Sequence, residues 1–352
     1  MQATAPFSCR RLPFAAELIV PLSQHVGAPA TPIVREGQEV VRGEPIARAC
    51  GFLSVPMHAP ATGVIRKIGP APLPGGTGGE AIHLRVYPAA TQEILYGARV
   101  RPETLTPKQI VHAVQDAGIV DACAEIVPAH TKLVLEEGQS IDTVIVNALG
   151  PAPLCATTQH VLSTQAAQIS QGLRLALQSL GAQQGLIAVA SGKSVGALAL
   201  AKELPSWAEF DLRPVRVQSD SEVEERLVRA LTGRKIPAGA SAAAARCVVL
   251  NIQTIAQMGA LLPRSQGHIE NVVAVAGANV PRPGLYVTPL GTPLLFILRQ
   301  AGVKTKHPQV LLRHAAGPDL PALSLDAPLT KSQTGLIVLP ENAGANGKNR
   351  FS

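Results

Sequence analysis

The sequence predicts an α/β multidomain fold: an N-terminal β barrel-sandwich, a central α/β domain with a mostly parallel sheet, and a C-terminal β-grasp unit built from a hairpin and one crossing helix. Three observations predict it. Residues 31–68 are short β-type runs separated by Gly37, Gly43, Gly51 and Gly63, two halves with a Gly turn in each. From Leu105 onward apolar strands alternate with segments of helical period, the order that builds a parallel sheet with helices on its faces. After Ile269 two strand-like runs flank the turn residues Pro281, Arg282, Pro283 and Gly284, and a single helix follows. At 352 residues the chain has room for several domains. The expected division is 1–100 barrel sandwich, 101–265 α/β domain, 266–307 β-grasp, 308–340 return segment, and a disordered Gly- and Asn-rich tail over 341–352.

Each element has a local reason. Thr106 is placed to cap a helix that has Pro107 at its first position, Ile110, Val111 and Val114 on its apolar side and Gly118 beyond its end. A strand follows over 143–146. Leu162, Ala166, Ile169, Leu173, Ala176 and Leu180 recur at steps of four and three, which predicts one long helix with a single apolar stripe. Next come a strand over 186–190, a helix over 198–204 and a strand over 215–217. Ser221 and Glu224 can form a capping box for a helix that stops at Gly233. A strand over 247–252 leads to a helix opened by Thr254. In the last unit strands are expected over 271–280 and 285–287, with Thr292, Pro293 and Gly302 bracketing a helix over 294–301.

Composition removes several function classes. Lys and Arg number 31 against 24 Asp and Glu, a net charge of +7, while 46% of residues are hydrophobic and only 16% charged. A chain this apolar can bury enough surface to offset ordering entropy. Its basic residues are scattered and not interleaved with aromatics, so no nucleic-acid partner is expected. No uninterrupted apolar stretch approaches the roughly 20 residues that cross a bilayer, so no transmembrane segment is expected. Pro13 and Glu17 interrupt what would be a signal-peptide core after Arg10 and Arg11, which predicts a cytoplasmic start. Cys9, Cys50, Cys123, Cys155 and Cys247 are widely spaced, an arrangement unsuited to a disulfide framework, a zinc ribbon or a cysteine-bound iron–sulfur cluster.

The chemical motifs are sparse. Ser191-Gly192-Lys193-Ser194 follows a strand and precedes a helix, but a phosphate loop needs a glycine where Ile187 stands, so a polar helix start is the better reading. None of the nine histidines has H-E-x-x-H spacing, and no G-x-S-x-G elbow seats a nucleophile. No catalytic residue and no metal site are assigned. His25, in a loop, either orients a partner or caps backbone carbonyls.

Two resemblances sharpen this picture. The 31–68 pattern resembles the lipoyl and biotinyl carrier domains, yet no lysine lies between Ala49 and Met57 to carry a cofactor amide. On a larger scale, "PLSQHVGAPATPIVREGQEVVRGEPIA" (21–47), "HAPATGVI" (58–65), "IDTVIVN" (141–147), "ALTGRKIPAG" (230–239), "VVAVAGANVPRPGLYVTPLGTPL" (272–294), "PLTK" (328–331) and "GLIVLP" (335–340) resemble the RnfC family, one of the subunit types of the bacterial Rnf electron-transport complex. The resemblance implies a lipoyl-like barrel sandwich, a Rossmann-like α/β domain and a β-grasp of the soluble-ligand-binding (SLBB) type. It also implies FMN, NADH and [4Fe–4S] clusters as cofactors. The implied partners are the other subunits of an Rnf-like membrane redox complex, approached from the cytoplasmic side as a peripheral subunit. His25, Gly27 and His58 are family-matched positions in the barrel sandwich.

The sequence departs from that family at its redox motifs. The glycine-rich flavin turn, which resembles "AGIVGLGGAGFPTHVKL", is occupied by residues 117–133 with Asp121, Cys123, Ala124 and Ile126 in place of glycines. Side chains there block close approach of a phosphate to backbone amides, and Asp121 and Glu125 add like charge. The acidic nucleotide segment falls on 147–160 without its glutamates and aspartates. The "GGEKQL" turn falls on 222–227 without its glycines, and "GGPMMG" on 313–320 is altered as well. No cysteine follows Cys247, so the family's two cluster-binding runs have no counterpart in this sequence. Lys132 and Asn147 keep the family's residues and are the candidate cofactor-binding positions. The expectation is therefore no bound FMN, NADH or cluster and a non-catalytic scaffold or assembly subunit. The alternatives are a flavin- or quinone-binding NADH-type oxidoreductase subunit with a remodelled site, and a module that binds a small ligand such as a corrinoid through its β-grasp unit.

Overall fold

The structure, a computed structural model, describes residues 9–74, 76, 78–123, 125–150, 156–203, 210–216, 223–314 and 319–340. Ala124, Cys155, Ser221 of the expected capping box and the expected tail at 341–352 lie outside the described residues.

The first strand, β1 (Cys9–Arg11), leaves the barrel sandwich altogether and pairs in parallel with Leu285–Val287 near the C-terminus. The barrel sandwich is made of β2 (Glu17–Pro21), β3 (Thr31–Pro32), β4 (Glu39–Val40), β5 (Pro45–Arg48), β6 (Met57–His58), β7 (Gly63–Pro72) and β8 (Gly78–Val86). They form two sheets, in the orders β2-β8-β7-β4 and β3-β5-β6. Leu18 and Val20, alternating along β2, meet Ile65, Ile82 and Leu84 in its core. The tip that carries the modified lysine in carrier domains here exposes Phe52 and Leu53. Gly27 has φ +116°, and a Cβ there would lie 2.1 Å from Leu53 O, so only glycine lets the 25–29 loop rest on this tip. His25 joins the two, accepting from Val55 N at Nε2 and pairing Nδ1 with Val26 O.

The central unit opens with α1 (Pro107–Asp116), whose Thr106 and Gln109 form a complete capping box. A small hairpin of β9 (Val120–Ala122) and β10 (Ile126–Pro128) follows, then β11 (Thr143–Ala148). The single long helix expected from Leu162 to Leu180 is two: α2 (Ala156–Thr164) and α3 (Ala166–Leu180), broken at Gln165, which has non-helical φ and ψ. Leu162 and Ala166 are buried on either side of the break, so the apolar spacing survives it and hides it from the sequence pattern. The remaining elements are β12 (Gln184–Val189), α4 (Val195–Glu203), β13 (Phe210–Pro214), α5 (Val223–Thr232), β14 (Cys247–Asn251) and α6 (Ile252–Leu261). The strand expected at 215–217 lies instead at Phe210–Pro214. Helix α6 is capped by Asn251, whose side chain accepts from Gln253 N, rather than by Thr254.

The four strands β13-β12-β11-β14 are all parallel. Val144 and Val146 of β11 join the core formed with α1, α3 and α6, while Ile145 faces the opposite core with Leu227 of α5. Helices thus cover both faces, and the strands read as continuous apolar runs for that reason.

The C-terminal sheet contains β15 (Glu270–Gly277), β16 (Gly284–Pro289), β17 (Val310–His314), β18 (Leu320–Pro321) and β19 (Gln333–Val338), in the order β1-β16-β15-β19-β17-β18. The hairpin β15–β16 is followed by α7 (Leu294–Gln300), and β15 pairs in parallel with β19 at the centre. Leu294, Ile297 and Leu298 of α7 pack on Val273, Val275, Leu336 and Val338. The 308–340 segment therefore supplies three strands to the same sheet as the hairpin.

Glu270 ties the units together. It pairs with Arg11 at 2.7 Å and with Arg42 of the barrel sandwich at 2.6 Å. No described helix is long and apolar enough to cross a membrane.

Candidate functional site

In an open parallel sheet, ligands bind beyond the carboxyl ends of the strands, where the strand order reverses. Here the chain runs from β11 outward to β12 and β13, then crosses back to place β14 on the other side of β11. The reversal lies between β11 and β14. Asn147 and Asn251 are register partners at their carboxyl ends.

Both family-matched candidates reach this point. Asn147 accepts from Leu149 N at 3.0 Å and turns its amide nitrogen to Cys123 Sγ at 3.7 Å. Lys132 lies in a short 3₁₀ turn, and its Nζ reaches Glu224 Oε1 at 2.6 Å, Val249 O at 3.0 Å and, as an ion contact, Asp121 Oδ2 at 3.0 Å. Lys132 and Asn147 are thus brought to neighbouring parts of one short segment, β9 and the residue just past its end.

Asp121, which the sequence marks only as a repulsive charge, is fully buried. Its Oδ1 accepts from Asn251 N at 2.8 Å and Thr254 Oγ1 at 2.7 Å, so a carboxylate sits at the start of α6. That is the favourable place for an anion, because the free N–H groups and the helix dipole converge there. Glu224, in the first turn of α5, supplies the second carboxylate. Burial alone would lower the Lys132 pKa, but the carboxylates of Asp121 and Glu224 outweigh it and hold the ammonium above its ordinary range. The Cys123 thiol is pushed up, chiefly by burial and then by Asp121, and stays protonated. It is therefore a poor nucleophile and a poor metal ligand.

The Ser191–Ser194 segment takes no part. Ser194 Oγ accepts from Ala197 N at the start of α4, an ordinary helix cap.

A second concave region has a different character. A cleft of about 430 Å³ lies between α2, α6 and the C-terminal sheet, with Lys331 and His268 among its lining residues. Lys331 is 5% exposed and donates to Pro56 O at 3.1 Å and Gly118 O at 2.6 Å. Burial brings its pKa down to about 7. His58 and His268 are lowered to about 3 and about 4, by burial first and by the Lys331 charge second. The spacing of the sequence singles out neither Lys331 nor His268; the signal available is a lysine held in the matched segment "PLTK".

Residues 2–86 match the family model described as the RnfC barrel sandwich hybrid domain, and residues 114–260 match the Nuo51 FMN-binding domain. The chain is 26% identical over 330 residues to a subunit of the Na(+)-translocating ferredoxin:NAD(+) oxidoreductase complex of Acetobacterium woodii, covering 93% of this chain and 74% of that protein. It is 28% identical over 340 residues to a subunit of the ion-translocating oxidoreductase complex of Rhodobacter capsulatus, covering 96% of this chain and 65% of the relative. For a Haemophilus influenzae protein of the same description the identity is 28%, with 92% of this chain and 48% of the relative covered. The chain thus spans between about half and three quarters of these relatives. Among solved structures, a chain of an NAD+-reducing [NiFe]-hydrogenase in the H2-reduced state aligns with TM-score 0.50 and 18% identity over 70% of this chain and 52% of that one, a likeness of fold.

The residues at the switch point do not fit an FMN phosphate. The Asn251 amide at the start of α6 already holds Asp121, and a second carboxylate, Glu224, stands beside Lys132. A phosphate dianion brought there would meet both.

Proposed function

This chain belongs to the RnfC-like family of electron-transport complex subunits, and from that membership we propose that it serves as a non-catalytic scaffold or assembly subunit of a membrane-associated ion-translocating oxidoreductase complex. The observation that carries the reading is the closed switch point: Asp121, on the Asn251 amide at the start of α6 and paired with Lys132, takes the place of a bound anion. In this reading Lys132 and Asn147 hold frame residues in place instead of a cofactor. The subunit acts at the cytoplasmic side, its docking surfaces engage other subunits of the complex, and electrons pass through a partner. The C-terminal unit is read as an SLBB-type β-grasp because a hairpin, a helix and a central parallel strand pair follow in that order.

A visible absorption spectrum with a released-flavin assay, on protein purified gently from its own source, tests this. The expected result is no stoichiometric flavin, together with co-purifying membrane subunits. Stoichiometric flavin would put the remodelled oxidoreductase in its place. The combined variant Asp121→Gly, Cys123→Gly, Ala124→Gly and Ile126→Gly is expected to remain without tight FMN binding, because the 147–160 segment is changed as well; tight binding would show the cradle to be the sole defect.

A further inference from the structure

We propose that the cleft between α2, α6 and the C-terminal sheet binds a small organic anion, a carboxylate with an apolar body, seated on Lys331. The cleft's volume of about 430 Å³ falls within the range of small-molecule sites. Its charged lining residues among those described are Arg11, Arg264, Lys331 and Glu270, and Glu270 is already bound by Arg11 and Arg42. Among the described residues Arg264 donates to Ala260 O, a neutral acceptor. Arg264 is therefore left without an acidic partner among the described residues, and Lys331 is the buried lysine of the lining.

A buried ammonium ordinarily keeps a carboxylate. Lys331 has two backbone carbonyls and, among the described residues, no acidic partner. Two carbonyls leave the third proton of an ammonium free. His268 Nδ1 on the same floor has no aligned hydrogen-bond partner among the described residues. The walls are mixed: Val120 and Ala122, which flank the inward-turned Asp121 in β9, line the cleft with Val161, Ala256 and Ile269, while Gln253, Thr254 and Gln257 add polar groups on the α6 side. A lysine beside these apolar side chains fits a carboxylate whose hydrocarbon part lies against Val120, Ala122, Val161 and Ala256. Asn251 and Thr254, which hold Asp121, also line this cleft, so it adjoins the closed switch point; Lys331 and His268 take no part in the hydrogen bonds of Asp121.

Binding is linked to protonation. The titratable groups around Lys331 are His25 and His58 of the barrel sandwich, and His268 and Glu270 at the start of the C-terminal sheet. The three histidines are lowered by burial and stay neutral near pH 8, and Glu270 is kept ionised by Arg11 and Arg42. A carboxylate on Lys331 favours the ammonium, so binding near pH 8 takes up a proton that the free protein lacks.

The test is calorimetric titration of the full chain with sodium octanoate, against sodium chloride at equal ionic strength, in buffers of different ionisation enthalpy. The expected result is saturable binding tighter than about 1 mM, with proton uptake near pH 8, and no comparable signal from chloride. Lys331→Met is expected to weaken binding about tenfold or more. Because Lys331 also bridges two units, Ala260→Phe serves as a second variant: it fills the cleft from α6 without touching Lys331 and should abolish binding while leaving the fold intact. Absence of saturable binding, binding unchanged in both variants, or binding without proton uptake would overturn the proposal.

Discussion

Lys132 and Lys331 are two inward-turned lysines of one molecule, and their surroundings drive them in opposite directions. Lys132 lies between two carboxylates and is held as an ammonium above its ordinary range. Lys331 has only the carbonyls of Pro56 and Gly118 among the described residues and is lowered to about 7. Both lie beside the N-terminal half of the central unit, and both suffer the cost of leaving water. The difference teaches that the nearby counter-charge, more than depth, decides what a buried cation does. At the switch point the chain supplies its own anion and the site is closed. In the cleft Glu270 is taken by Arg11 and Arg42, and Lys331 has no acidic partner among the described residues, which is where the proposed carboxylate would sit.

The largest expected effect comes from breaking the first member of the pair. Lys132→Met leaves the fully buried Asp121 and its neighbour Glu224 without their cation, and should cost about 3–5 kcal/mol in urea unfolding, the range for one partner removed from a buried ion pair. Adding Asp121→Asn to that variant should restore part of the loss. A double variant no more stable than Lys132→Met would show that the cluster is not coupled.

A smaller effect is expected where the second lysine's surroundings meet the barrel sandwich. A Cβ on Gly267 would lie 2.1 Å from the His58 ring. Gly267→Ala should therefore destabilise by about 1–3 kcal/mol, as overpacking of a filled site does, and the urea midpoint reads it directly. An unchanged midpoint would mean that the junction around Lys331 yields easily.

The smallest effect separates the two lysines by pH. Lys331 has a folded pKa below its unfolded value, so between about pH 7 and 8.5 the unfolded chain binds more protons and stability rises with pH. Lys132 has a folded pKa above its unfolded value, so its contribution is fully present in that window and is lost only at much higher pH. The urea midpoint should rise from about pH 7 to 8.5 in the wild type, and this rise should shrink in Lys331→Met. A rise of equal size in that variant would assign it to other groups.

Much of the frame was legible because its signals are local. The Thr106 and Gln109 capping box, the glycine turns of the barrel sandwich and the alternation of strands and helices each depend on residues a few positions apart. The break at Gln165 escaped because Leu162 and Ala166 keep helical spacing across it. The cap of α6 is hidden in the sequence because Asn251 serves both as the last strand residue and as the cap. Likewise, Cys9–Arg11 read as the start of the barrel sandwich, yet the strand lies on the C-terminal sheet against Leu285–Val287, a pairing that no local pattern announces.

The candidate site divides in the same way. By itself the sequence determined the family resemblance, the loss of glycines at 117–133 and the persistence of Lys132 and Asn147, because these are identities at positions along the chain. Only the tertiary structure decided what they do. Asp121, separated from Asn251 by 130 positions, lands on that residue's amide, and Lys132 meets Glu224 from 92 positions away. The interaction of a charge depends on distance and on exclusion of water, and both are properties of the folded chain.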